Sequence, residues 1–227
     1  MSGFPQTPKL LKGALVSFEP SNPAPQVIAF QYNPDSMSRS LQGQGAGSGG
    51  GGGGGGAGGS LEAFRIKGPP IETINLDIEI DVSEKLEQPE QNARTIESGI
   101  LPELSSLEIL LYPQSQHVAS IMNAASSGVL EVVPPEGPFT LFVWGPKRIL
   151  PVHLTKFEIV EEAFDTNLNP IRAKVSLGLR VLSYADISPD HPAYGLYSGH
   201  HIAKEALARM AVTSDLSSVG VERSRLS

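Results

Sequence analysis

The sequence predicts a mainly β fold (β+α) with a flanking helix, and three features carry that prediction. In residues 171–181, Ile171, Ala173, Val175, Leu177, Leu179 and Val181 alternate with Arg172, Lys174, Ser176, Gly178 and Arg180. In residues 74–82, Ile74, Leu76, Ile78, Ile80 and Val82 alternate with Asn75, Asp77, Glu79 and Asp81. Period-two alternation of this length marks a strand with one buried face and one polar face. The third feature is the run VHLTKFEIVEEAF, which turns through DTNLNP into the 171–181 strand and so predicts a long antiparallel hairpin. Its parity slips once between Leu154 and Phe157, the pattern a β-bulge produces. The polar faces of the first two strands are opposite in sign. Were they to pair, each cross-strand ion pair would contribute about 0.2–1 kcal/mol.

Length and composition bound the rest. The 227 residues fit one domain, or one domain with a large insertion. The chain has no cysteine, which excludes disulfides, thiolate metal sites and thiol nucleophiles. A formal charge of −7 argues against a nucleic-acid partner, because phosphate neutralisation needs a basic face. No apolar run reaches the roughly 20 residues that span a bilayer, and MSGFPQTPKLLKG lacks the charged-then-apolar pattern of a signal peptide. These features lead us to expect a cytoplasmic product with no membrane insertion.

Taken in order, residues 12–18 and 26–32 read as an opening hairpin whose connection, EPSNPAP, is kept out of any helix by its prolines. Asn33-Pro34-Asp35 is a turn. More than half of the 24 glycines then fall in a run that, with its flanks, forms an insertion at 43–60. With no side chains to bury and a high entropy cost of ordering, it is expected to be disordered. The 74–82 strand leads into an acidic loop through Glu84, Glu87 and Glu90. Helical spacing predicts a helix over 96–111 with Pro102 in its first turn, and a second over 115–125. Strands are expected at 129–133, 139–144 and 149–160, with Pro151 marking an edge or a bulge. Residues 185–200 read as a loop, 200–210 as an amphipathic helix, and the polar tail from 213 as disordered.

No motif read in this sequence points to catalytic or metal chemistry. Asp77, Glu79 and Asp81 lie on an extended strand about 7 Å apart, not around the sharp glycine turn of a calcium loop. His200 and His201 are adjacent, so on a helix they point about 100° apart and cannot share a metal. The glycine run ends in Ser60-Leu61-Glu62 rather than the Lys-Ser/Thr of a phosphate loop, and neither G-x-S-x-G nor H-E-x-x-H occurs. The expectation is therefore no catalytic, metal or cofactor-binding residue, and a binding or assembly module rather than an enzyme.

Three stretches taken together carry a resemblance. FQYNPDSMSRS at 30–40, LDIEIDVSEKLEQP at 76–89 and FDTNLNPIRAKVSLGLRVL at 164–182 resemble the contractile injection system tube-protein family, over residues 10–186. The resemblance implies a phage-tail-tube-like β-sandwich or rolled barrel with a flanking helix, followed here by a 187–212 loop and helix and a 213–227 tail. It also implies a homo-oligomer, a hexameric ring. The ring would act as an adaptor or initiator joining the inner tube to the baseplate and spike, or alternatively as a cap-side terminator. A small-ligand-binding β-barrel is the reading from a different class. Several members of the family continue into a peptidoglycan-binding LysM module, whereas the residues after 186 here are too few and too polar for one. The resemblance further implies ring-stacking contacts at Tyr32, Asn33, Pro34 and Arg39. Asn75, Asp77, Glu79, Asp81, Arg172, Lys174 and Arg180 are expected on an inter-subunit or lumen face. Such a ring would be assembled in the cytoplasm as part of a particle that is then released or retained.

Overall fold

The structure is a computed structural model that describes residues 11–19, 22–45, 65–127 and 137–212. Among these residues seven strands form one antiparallel sheet: β1 (Ala14–Glu19), β2 (Asn22–Ala29), β3 (Met37–Gln42), β4 (Ile71–Asp81), β5 (Phe139–Val143), β6 (Ile149–Phe164) and β7 (Pro170–Val181). Their order is β2-β1-β5-β6-β7-β4-β3, so β2 and β3 are the end strands and are not paired with each other. The helices are α1 (Ser83–Leu86), α2 (Ala93–Ser98), α3 (Leu101–Glu108), α4 (Ser115–Ser126) and α5 (Pro192–Ala211). The chain is thus mainly β with a flanking C-terminal helix, as the alternation predicts. Among the described residues no helix is long and apolar enough to cross a membrane. The expected strand at 129–133, nearly all of the glycine-rich insertion and the tail from 213 lie outside the described residues.

The two alternating strands are neighbours. β4 pairs with β7 in a register that sets Asp81 opposite Arg172, Glu79 opposite Lys174 and Asp77 opposite Ser176. β6 pairs with the other side of β7, and the register shifts between Leu154 and Lys156, where the sequence parity slips, and again near Ala163. The bulges keep Phe157 and Ile159 on the core side, opposite Leu177 and Val175. Ile74, Ile78, Val175, Leu177, Leu179, Leu150, Val152 and Phe142 form one continuous core with Ile100, Leu104 and Leu107 laid over it. Burying such side chains stabilises the fold by about 1.5–3 kcal/mol each.

β3 (Met37–Gln42) is a strand that the sequence expectation lacks, and four further elements differ from it, each for a local reason. The proline-rich connection is not all turn: β2 begins at Asn22 and runs through Pro23 and Pro25. Prolines are tolerated there because β2 is an end strand, whose outer side needs no N–H donors. Pro151 lies instead inside a central strand, opposite Leu141, with its carbonyl accepting from the Leu182 N–H at 2.9 Å. The single helix expected over 96–111 is broken into α2 and α3 at Gly99, whose φ is +57°. A Cβ there would collide with the Pro170 carbonyl, so glycine lets the helices approach the start of β7. Finally, α5 starts at Pro192 rather than residue 200, because His191 Nδ1 accepts from the Ala193 N–H and Pro192 occupies the first turn. Burial of Ala193 and Tyr197 against the sheet supports a turn that two glycines would otherwise weaken.

Candidate assembly surface

The polar side of the sheet is built by β4, β7 and β6, because the parity that buries their apolar residues turns the others outward. Arg172 Nε and Nη2 both approach Asp81 Oδ2, at 2.7 and 2.6 Å. Ser176 Oγ donates to Asp77 Oδ1 at 2.6 Å, and Lys174 Nζ donates to Glu162 Oε1 on β6 at 2.8 Å. Asn75 and Glu79 belong to the same exposed face. Asp81 is held below the ordinary aspartate range, first by the hydrogen bonds from Ser83 and then by Arg172. Lys174 is raised by its bond to Glu162. Pairs this close to solvent are screened and add little to stability, so they order a charged surface more than they hold the fold together. Arg180, in phase with Arg172 on β7, donates Nη2 to Asp186 Oδ1 in the loop before α5, at 2.7 Å.

The four residues expected at a stacking contact divide differently. Asn33 is turned inward: its Oδ1 accepts from the Gly13 N–H and its Nδ2 donates to the Leu11 carbonyl, both at 2.8 Å. Arg39 lies on β3, where Nε and Nη2 donate to Glu72 Oε1 at 2.9 and 2.5 Å. Tyr32 is 49% exposed, and Pro34 sits beside it partly buried. The turn can therefore offer Tyr32 to a partner, while Asn33 and Arg39 are engaged within the subunit.

Segments from two of the three stretches singled out in the sequence, at 30–34 and 165–169, act as stitches. In FQYNP, Phe30 is buried, and Gln31 meets the main chain of Asp81 twice, donating Nε2 to its carbonyl at 2.6 Å and accepting its N–H at 3.0 Å. In DTNLN, Asp165 Oδ1 accepts from the N–H groups of Asn167 and Asn169 at 2.7 and 2.8 Å, and Asn169 Nδ2 donates to the Glu97 carbonyl at 3.1 Å. These bonds lock the ends of β2 and β7 and so fix the sheet that bears the polar face.

Sequence reasoning did not single out Glu72. It is 3% exposed and binds Arg39 from β3 and Lys204 from α5, the latter at 3.0 Å. Burial pushes its carboxyl up, but hydrogen bonds from Arg39 and Lys204 outweigh this and leave it below the ordinary range. The signal was its parity, since Glu72 falls in phase with Ile74 and Leu76 and must enter the core side. His200 lies beside this group, and burial followed by the nearby Lys204 charge lowers its pKa.

The described residues contain no group of three or more histidine, aspartate or glutamate side chains placed to hold a metal. No protein-family model matches this chain, and no curated protein matches it.

Proposed function

We propose that this chain is a structural ring protein of a contractile injection system, an adaptor or initiator that joins the inner tube to the baseplate and spike. It works by assembly and performs no catalysis. The observation that carries this reading is the sheet itself: among the described residues, seven strands end in two edges without a further paired strand, β2 and β3, with one face charged and the other covered by helices. Open edges invite pairing with another chain, and closing them between copies into a six-membered ring removes that hazard. The Asp81–Arg172 and Glu162–Lys174 pairs are satisfied within one subunit, so the β4–β7–β6 face can line a solvent-filled lumen without cross-linking copies. Tyr32, at the exposed turn, is the residue of its motif available to an adjoining ring. Such a ring is assembled in the cytoplasm and travels with the particle.

Locating a labelled copy of the chain along an isolated particle tests this reading. A label at the baseplate end is the expected result. A label at the cap end would make the protein a terminator, and particles without label would remove it from the assembly.

A further inference from the structure

Helix α5 is held to the sheet by few groups. Among its residues Ala193 and Tyr197 are buried, whereas Ile202, Leu207 and Met210 are exposed. Lys204 adds an ion pair to Glu72. Gly195 and Gly199 weaken the first turns, so a helix of this length and composition is marginal by itself and leans on its docking.

Two histidines at this contact are placed so that only the neutral ring fits. His191 Nδ1 accepts from the Ala193 N–H at 3.1 Å and caps the helix. An imidazolium has no acceptor, so a proton there breaks the cap and sets a positive charge against the positive end of the helix dipole. The Phe139 ring on β5 meets His191 edge-on at 4.9 Å. Of the carboxylates in its loop, Asp186 is bonded to Arg180 and Ser183, and Asp190 is its chain neighbour. His200 lies more than two turns further along, and its Nε2 is buried with no hydrogen-bond partner. Once charged, both ring nitrogens donate, and Nε2–H would be a buried donor without an acceptor. The charges around it are mostly of the same sign: Lys204 on α5, Arg39 on β3 and Arg148 in the turn before β6, with Lys147 lining the same groove. Glu72 on β4 is the opposing carboxylate, and it already accepts from Arg39 and Lys204.

We propose that α5 is an acid-released strap, which lies on the sheet while His191 and His200 are neutral and lifts off when they take up protons. Release uncovers the ground beneath Tyr197 beside Ile149, and it leaves Glu72 to Arg39 alone. Histidine in a released segment titrates near its ordinary value of about 6.5. Burial, and then the Lys204 charge, hold docked His200 lower. Docking is therefore complete above the ordinary value and weakens as pH falls below it, by at most about tenfold per pH unit for each proton taken up. Protonation of Glu72 also loosens the strap, but only below the ordinary glutamate range near about 4.3, so the window above that range belongs to the histidines. The device lies within one subunit and does not depend on the ring reading.

Amide exchange of the full chain tests the proposal, as protection factors corrected for the intrinsic rate one pH unit above and one below the ordinary histidine value. Protection over residues 192–211 is expected to fall about tenfold or more on the acid side while β4 and β7 amides keep theirs. His200→Gln with His191→Asn removes both titrating rings, and asparagine retains a capping acceptor, so this double variant should hold α5 equally at both pH values. His191→Asn alone should retain part of the fall, which keeps the test open if the double variant does not fold. An α5 that is unprotected at both pH values, a fall of less than about threefold in the parent, a fall shared equally by β7, or a folded double variant that loses protection as the parent does would each overturn the proposal.

Discussion

Replacing Glu72 with glutamine removes one negative charge from a site where two cations converge. The carboxylate accepts from Arg39 at 2.9 and 2.5 Å and from Lys204 at 3.0 Å, while being itself nearly inaccessible. Hydrogen bonds to a charged group are worth about 1.5–3 kcal/mol each, and breaking a buried pair costs about 3–5 kcal/mol. Two facts reduce that cost here. The side chains of Arg39 and Lys204 remain 28% and 38% exposed and can rehydrate, and glutamine still accepts one bond. The expected loss is therefore about 2–3 kcal/mol at pH 7, or a fall in Tm of roughly 5–10 °C for a chain of this size. Because the folded-state pKa of Glu72 lies below its unfolded value, its contribution is complete above the ordinary glutamate range, near 4.3. It is lost as pH falls through the folded value. Thermal or urea unfolding of parent and variant should thus show a gap at pH 7 that closes in acid. A gap under about 1 kcal/mol at pH 7, or one that persists in acid, would refute the reasoning.

Other consequences follow from the stitches and the polar face. Gln31→Leu deletes both side-chain bonds to the main chain of Asp81; it should cost about 2 kcal/mol and speed hydrogen exchange of the Asp81 amide, and unchanged protection would contradict this. Asp165 is held low, chiefly by the Asn169 side chain, and Asp81 by Ser83, so an NMR titration should find both carboxyls below the ordinary aspartate range, near 3.9. A value at or above that range for either would mean its turn is not formed. Exchanging Arg172 and Lys174 together for glutamate removes two pairs close to solvent and should leave the monomer folded, yet disrupt the proposed ring by adding like charges to an acidic face. Light scattering on folded variant protein checks this, and intact rings would show that the face takes no part in assembly.

The parts legible in the sequence were those written in a local period. The alternation of residues 74–82 and 171–181 fixed which side chains face inward, while their pairing, left open by the sequence, is the β4–β7 ladder that sets Glu79 opposite Lys174 and Asp81 opposite Arg172. The parity slip after Leu154 foretold the bulge for the same reason. Glu72 was open to the same logic, because its phase with Ile74 required a buried carboxylate and hence cationic partners. The identity of those partners was not readable, since Lys204 lies far along the chain on a helix whose first turn is masked by Pro192, Gly195 and Gly199. The roles of Gln31 and Asn33 were equally hidden. Their side chains bond to main-chain groups of Asp81, Gly13 and Leu11, which leave no trace in residue type. Gly99 sits within helical spacing and reveals its positive φ only against Pro170.

We propose that the open sheet closes between six copies. Electron microscopy of the purified full chain tests it most directly. Six-fold rings with the β2 and β3 edges joined between subunits are the expected result. Particles that remain single copies at all concentrations, with both edges free, would contradict it.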